Sequence, residues 1–261
     1  MTSSEAQLPL ESYLRRLRDS GRKILVPYVT GYADGWTDAV RVAAANGADV
    51  VEIGIPFSDP VMDGPVIQRA STQALRNGAT LPLILDGIRG LDIAIPVVVM
   101  CYYNSIFRLG HERFAHEVAA AGVSGVIVPD LPLEESAEWC SVADAVGLAT
   151  VMLAAPTASD ERLRAIANRA RGFVYGVGLL GVTGERDRLA SSATRIAARA
   201  KAVTDLPVLV GVGVSDAEQA REACTTADGV IQGAAIMRRL LDEGVESVGQ
   251  FVCEVRSAID R

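Results

Sequence analysis

The stretch Ala48-Asp49-Val50-Val51-Glu52-Ile53-Gly54-Ile55-Pro56-Phe57-Ser58-Asp59-Pro60-Val61-Met62-Asp63-Gly64 sets one glutamate inside an apolar strand and an aspartate eleven positions further on. Side chains alternate across a strand, so Val51 and Ile53 point one way while Val50, Glu52 and Gly54 point the other. Glu52 is therefore expected to face an interior. An unpaired buried carboxyl is costly unless it takes up a proton, so a fold keeps one there mainly for chemistry. Asp63 follows a Pro/Ser/Asp-rich turn and precedes Gly64-Pro65, the pattern of a loop entering a helix. Two carboxyls in such unlike surroundings should have separated pKa values, letting one act as acid or base while the other stays ionised.

Outward from this stretch the same unit repeats. Short β-branched runs are each followed by a glycine- or proline-marked turn and an alanine-rich helical pattern, the signature of a parallel sheet. Strands are predicted at Ile24–Val29, Val50–Ile53, Val97–Cys101, Gly125–Val128, Thr150–Leu153, Phe173–Val177, Val208–Val212 and Gly229–Gln232. Helices are predicted around Thr37–Asn46, Pro65–Arg76, Glu112–Ala121, Glu134–Val146, Asp160–Arg169, Leu189–Ala202, Asp216–Ala223, Ile236–Asp242 and Val245–Ile259, with an extra N-terminal helix at Leu10–Ser20. A doubly wound open sheet shows the same alternation. Eight repeats in 261 residues favour an α/β chain closed into a (β/α)8 TIM barrel, read as a single domain over residues 1–261. Such barrels carry their sites on the loops at the C-terminal strand ends, where Glu52 and Asp63 fall.

With a net charge of −7 and no basic block, a nucleic-acid partner is disfavoured. Cys101, Cys140, Cys224 and Cys253 are too scattered for a zinc site or redox pair, and reduced cytoplasmic thiols are expected. The first residues show no secretory pattern. The most apolar stretch, Ile93 to Tyr103, is too short to cross a bilayer and contains Pro96, so no membrane association is expected.

Glycine-rich turns follow the sixth, seventh and eighth strands: Gly181-Val182-Thr183-Gly184, Gly211-Val212-Gly213-Val214-Ser215 and Gly233-Ala234-Ala235. Glycine lets the backbone approach a ligand, and helix N-termini offer unpaired N–H groups, so these turns can hold a phosphate without a basic side chain. Helix capping is the plainer alternative. A small phosphorylated substrate is the working expectation. Gly176-Val177-Gly178-Leu179-Leu180-Gly181 matches a dinucleotide fingerprint, but it comes sixth in the strand order, no helix begins at its third glycine, and Asp205 is a poor ribose-binding acid.

His111 and His116 are five apart, which suits surface residues rather than a metal-binding pair, and no metal is expected. Asp59 and Asp130 read equally as partner-facing groups or as turn residues beside prolines. Ser58 has no histidine base nearby in the predicted layout, so hydrolase chemistry is poorly supported.

The segment Val51-Glu52-Ile53-Gly54-Ile55-Pro56-Phe57-Ser58-Asp59-Pro60 with Asp63-Gly64-Pro65 resembles the signature of the tryptophan synthase α chain family. Tyr102-Tyr103-Asn104, Val128-Pro129-Asp130-Leu131-Pro132, Ala155-Pro156-Thr157, Phe173-Val174-Tyr175 and Gly181-Val182-Thr183-Gly184 extend the likeness almost from end to end. The resemblance implies a (β/α)8 barrel that cleaves indole-3-glycerol phosphate to indole and glyceraldehyde 3-phosphate without a cofactor, usually beside a tryptophan synthase β chain. By matching position, Glu52 resembles the acid/base that protonates the indole ring carbon and removes the glycerol hydroxyl proton. Asp63 resembles the carboxylate that binds the indole N–H. Tyr175 resembles the residue beside the reacting carboxylate, Tyr102 a wall of the pocket, and Thr183 the tip of a closing loop; Gly184, Gly213, Gly233 and Ala234 complete the expected substrate-binding set.

Four departures from the family pattern stand out. Gly178-Leu179 replaces a serine-arginine pair, Val212 a phenylalanine, Ala234 a serine at the phosphate turn, and Met62 a small residue near Asp63. A larger indole pocket and weaker phosphate affinity are expected, and they leave open a stand-alone lyase releasing free indole or a catalytically silent binding barrel.

Overall fold

The computed structural model describes residues 9–178, 186–211 and 213–260. Eight parallel strands close in chain order: β1 (Ile24–Thr30), β2 (Val51–Gly54), β3 (Val97–Met100), β4 (Val123–Ile127), β5 (Ala149–Ala154), β6 (Val174–Val177), β7 (Val208–Gly211) and β8 (Gly229–Gln232). Closure is made where Ile24 to Pro27 pair with Gly229 to Gln232. The helices are α1 (Leu10–Asp19), α2 (Trp36–Ala45), α3 (Pro65–Arg76), α4 (Leu81–Arg89), α5 (Tyr103–Leu109), α6 (His111–Ala120), α7 (Ala137–Ala145), α8 (Asp160–Arg169), α9 (Arg186–Lys201), α10 (Ala217–Cys224), α11 (Ala234–Asp242) and α12 (Val245–Ile259). Among the described residues no helix is long and apolar enough to cross a membrane.

The alternation read from β2 divides the core into two layers. Val51 and Ile53 pack outward with the helices, whereas Val50 joins Ile24, Val26, Val98, Ile127, Phe173, Leu209 and Ile231 inside the barrel. Leu10, Tyr13, Leu14 and Leu17 recur at helical spacing, and this stripe of α1 packs into that inner cluster. The Leu10 side chain reaches the starts of the strands beside Gly125 and Gly172, so α1 plugs the N-terminal mouth. Each buried leucine there contributes roughly 1.5–3 kcal/mol. The same end is tied by Asp49, whose carboxylate accepts from Arg22 Nε at 2.6 Å, the Leu25 N–H at 2.9 Å and Arg256 Nη1 at 3.0 Å. Arg256 also donates to the Lys23 carbonyl at 2.8 Å, fastening α12 across the starts of β1 and β2.

Three local features depart from the sequence reading. The predicted Glu134–Val146 helix is a 3-10 turn over Leu133–Glu135 followed by α7, because the Ser136 hydroxyl donates to the Leu133 carbonyl and closes the turn first. The helix α4 has no counterpart among the predicted elements; Pro82 lies in its first turn, where the missing N–H costs no helical bond. The short helix α5 is started by the Asp130 carboxylate, which accepts the Tyr103 N–H at 2.8 Å from 27 residues away, a contact that local patterns cannot reveal. Val212, placed in the seventh predicted strand, lies outside the described residues, and β7 is described through Gly211.

Candidate active site

At the C-terminal mouth a cavity of about 260 Å³ opens between the strand ends. Glu52 lies on its floor, 2% exposed. Among the described residues its Oε2 has no hydrogen-bond partner, an unusual state for a buried carboxyl oxygen. Burial and, after it, the charge of Asp63 raise the Glu52 pKa to about 8, so the side chain holds a proton at neutral pH. Asp63 enters the same cavity from the loop before α3 and is half-buried. Burial raises its pKa to about 6, while a hydrogen bond from Tyr102 works in the opposite direction. The pair thus presents a protonated acid and an ionised carboxylate to one space.

The Asp63 loop is held from behind. The Tyr102 hydroxyl accepts the Met62 N–H at 3.0 Å, and the Tyr102 ring stacks on Phe57 with centroids 5.0 Å apart. Tyr102 therefore braces the loop and is not among the side chains lining the cavity, whereas Met62 is. Tyr175 lines the cavity from β6. Its ring leans over Gly211 of the next strand, where a Cβ would fall 2.1 Å from the tyrosine hydroxyl. The remaining walls are apolar, including Met100, Ile127, Leu153 and Ile231, and suit a flat aromatic ring.

The opposite end of the cavity is lined by Gly213, Ser215, Gly233 and Ala234. Gly233 caps α11 with no side-chain hydrogen bond, leaving the first N–H groups of that helix to a ligand. Arg238 also lines this end, one helical turn beyond Ala234 and on the same face. Sequence reasoning had allowed for a phosphate site without a basic side chain; the i, i+4 spacing from Ala234 was the signal that could have found this one. Thr183 and Gly184, with Leu179 and Val212 among the noted departures, lie outside the described residues. Also missed was Tyr28, whose ring lines the cavity beside Glu52.

Several weaker candidates have structural roles. Asp130 supports the start of α5, and Asp59 accepts from the Ser58 hydroxyl at 2.6 Å. His111, expected at the surface, has a side chain only 10% exposed: its ring lies between the Tyr103 hydroxyl at 2.9 Å and the Glu138 carboxylate at 3.0 Å, near Trp139. The end of the dinucleotide-like run, from Leu179 to Gly181, lies outside the described residues. Among the described residues no group of three or more His, Cys, Asp or Glu could hold a metal.

The family model described as tryptophan synthase alpha chain matches residues 14–257. The tryptophan synthase alpha chain of Streptomyces coelicolor is 45% identical over 252 residues, covering 95% of this chain and 93% of the relative. That of Synechococcus elongatus is 44% identical over 251 residues, covering 94% of each. Among solved structures, tryptophan synthase of Mycobacterium tuberculosis superposes with a TM-score of 0.89 at 36% identity, over 96% of this chain and 97% of that one. Tryptophan synthase subunit alpha of Legionella pneumophila gives 0.87 at 32% identity, over 97% and 98%.

Proposed function

The chain belongs to the tryptophan synthase α chain family, carbon–carbon lyases of tryptophan biosynthesis, and we propose that Glu52 and Asp63 carry its cleavage of indole-3-glycerol phosphate. One observation supports this assignment above the rest. A buried carboxyl with an oxygen that has no partner among the described residues lies on the floor of an apolar cavity whose far end offers helix N–H groups and Arg238.

In this reading the phosphate binds at Gly213, Gly233 and Ala234, and the indole ring lies among the apolar walls. Glu52 gives its proton to ring carbon 3, producing an electron-poor indolenine whose N–H faces the Asp63 carboxylate. The resulting Glu52 carboxylate takes the proton of the hydroxyl on the adjoining chain carbon. That carbon becomes a carbonyl, the carbon–carbon bond breaks, and its electron pair returns to the ring. Indole and glyceraldehyde 3-phosphate leave, and Glu52 is protonated again. Tyr175 walls the reacting centre, and Tyr102 positions Asp63.

We further propose a tryptophan synthase β chain as partner, docked over this mouth. Val61, in the loop after β2, and Phe107, on α5, are 80% and 68% exposed there, large apolar side chains suited to an interface. The four cysteines are free and three of them are buried, which supports a cytoplasmic setting. A stand-alone lyase and a silent barrel are not favoured, since both carboxyls share the cavity and the relatives are named as synthase chains. The test is product analysis with purified chain and indole-3-glycerol phosphate, with and without a β chain. Indole and triose phosphate are expected in equal amounts; their absence in both conditions contradicts the proposal.

A further inference from the structure

Tyr28 connects the two ends of the cavity. Its position on β1 pairs in register with Glu52 on β2, so both side chains point into the barrel at one level. The ring begins beside the phosphate-side turn: a Cβ on Gly233 would lie 3.8 Å from Tyr28 Cβ and Cγ. It ends over β2, where a Cβ on Gly54 would lie 1.9 Å from the Tyr28 hydroxyl oxygen. Gly54 is two residues past Glu52 on the same inward face, so the phenol tip lies between Glu52 and the mouth. A ligand with its phosphate at Gly233 and its ring N–H at Asp63 must lay the connecting three-carbon chain along this ring.

The hydroxyl is unusually available for a buried phenol. Among the described residues its one hydrogen bond is a long one, 3.4 Å, accepted from the Thr30 hydroxyl, which leaves its own proton to be donated elsewhere. Burial, with the charges of Asp63 and Glu52, keeps Tyr28 a neutral donor far above neutral pH. The acceptors that share the cavity with it are the Glu52 and Asp63 carboxyls, the groups that the reaction itself engages.

We infer that the Tyr28 hydroxyl donates a hydrogen bond to a hydroxyl oxygen of the substrate's three-carbon chain, fixing that chain against Glu52. The inference rests on the proposed reaction. It assigns Tyr28 to recognition of a hydroxylated chain, distinct from recognition of the ring or the phosphate.

The test compares two ligands in two proteins. Dissociation constants are measured for indole-3-glycerol phosphate and for the analogue with the same ring and phosphate but an unsubstituted three-carbon chain. Both are bound to Glu52→Gln, which prevents consumption of the ester, and to Glu52→Gln/Tyr28→Phe. Loss of the hydroxyl should weaken the glycerol ester about fivefold or more, the size of one hydrogen bond, and leave the deoxy analogue within about twofold. Retained affinity for the analogue also shows that the variant is folded. Equal weakening of both ligands, or of neither, overturns the inference while leaving the reaction intact. Wild-type protein that neither binds nor cleaves the ester overturns the reaction and this inference together.

Discussion

Asp63 raises the proton affinity of Glu52 across the cavity they share, adding to the larger effect of burial. The consequence is a defined pH window. Below about 6 Asp63 gains a proton and can no longer stabilise positive charge on the ring nitrogen. Above about 8 Glu52 loses the proton it must deliver. We expect kcat/KM, measured from pH 5 to 9.5, to be bell-shaped with limbs near these values, each limb belonging to the interacting pair. A profile that keeps rising through pH 9 contradicts Glu52 as the proton donor.

Gly54 is expected to tolerate no side chain, because its Cβ would meet the Tyr28 hydroxyl at 1.9 Å and the ring carbons behind it at 2.4 and 2.6 Å. Gly54→Ala should cost about 1–3 kcal/mol in urea unfolding. Combining it with Tyr28→Ala should recover part of that loss, since the clash is then gone. Strict additivity of the two changes would show that the ring does not lean over β2.

Arg256 contributes stability without touching the site. Its guanidinium and the Asp49 carboxylate are buried together at the N-terminal end of the barrel, away from the cavity. Arg256→Met leaves the buried Asp49 carboxylate to Arg22 and the Leu25 N–H and removes the bond to the Lys23 carbonyl, and it should cost about 1–3 kcal/mol of unfolding free energy. At a temperature where the variant remains folded, kcat should stay within about twofold of wild type.

Arg238 should separate binding from chemistry. It is exposed at the phosphate end of the cavity, so Arg238→Ala should raise KM about 3- to 10-fold with little change in kcat, less than a buried charged hydrogen bond would give. The effect should shrink at high salt. A fall in kcat at unchanged KM would place the guanidinium elsewhere.

The sequence was most legible where chemistry and periodicity coincide. Val50, Glu52 and Gly54 face inward because a strand alternates, and the strand centres follow from apolar runs buried on both faces. What escaped depends on contacts between distant segments. The start of α5 is fixed by Asp130, and His111 is drawn inward by Tyr103 and Glu138. Tyr28 was passed over because a tyrosine in an apolar strand looks like core until the glycines facing it, Gly54 and Gly233, are seen to leave room for a ligand-facing ring. Tyr102, expected as a wall of the pocket, braces the Asp63 loop from behind, a role that only the Met62 hydrogen bond reveals.

The central claim is that one buried carboxyl moves the proton, and Glu52→Gln tests it with almost no change in shape. Binding of indole-3-glycerol phosphate and single-turnover release of indole should be measured on the same preparation of this variant. The account expects affinity within a few-fold of wild type and a rate lower by about 10²–10⁴-fold. Indole released at the wild-type rate would contradict it.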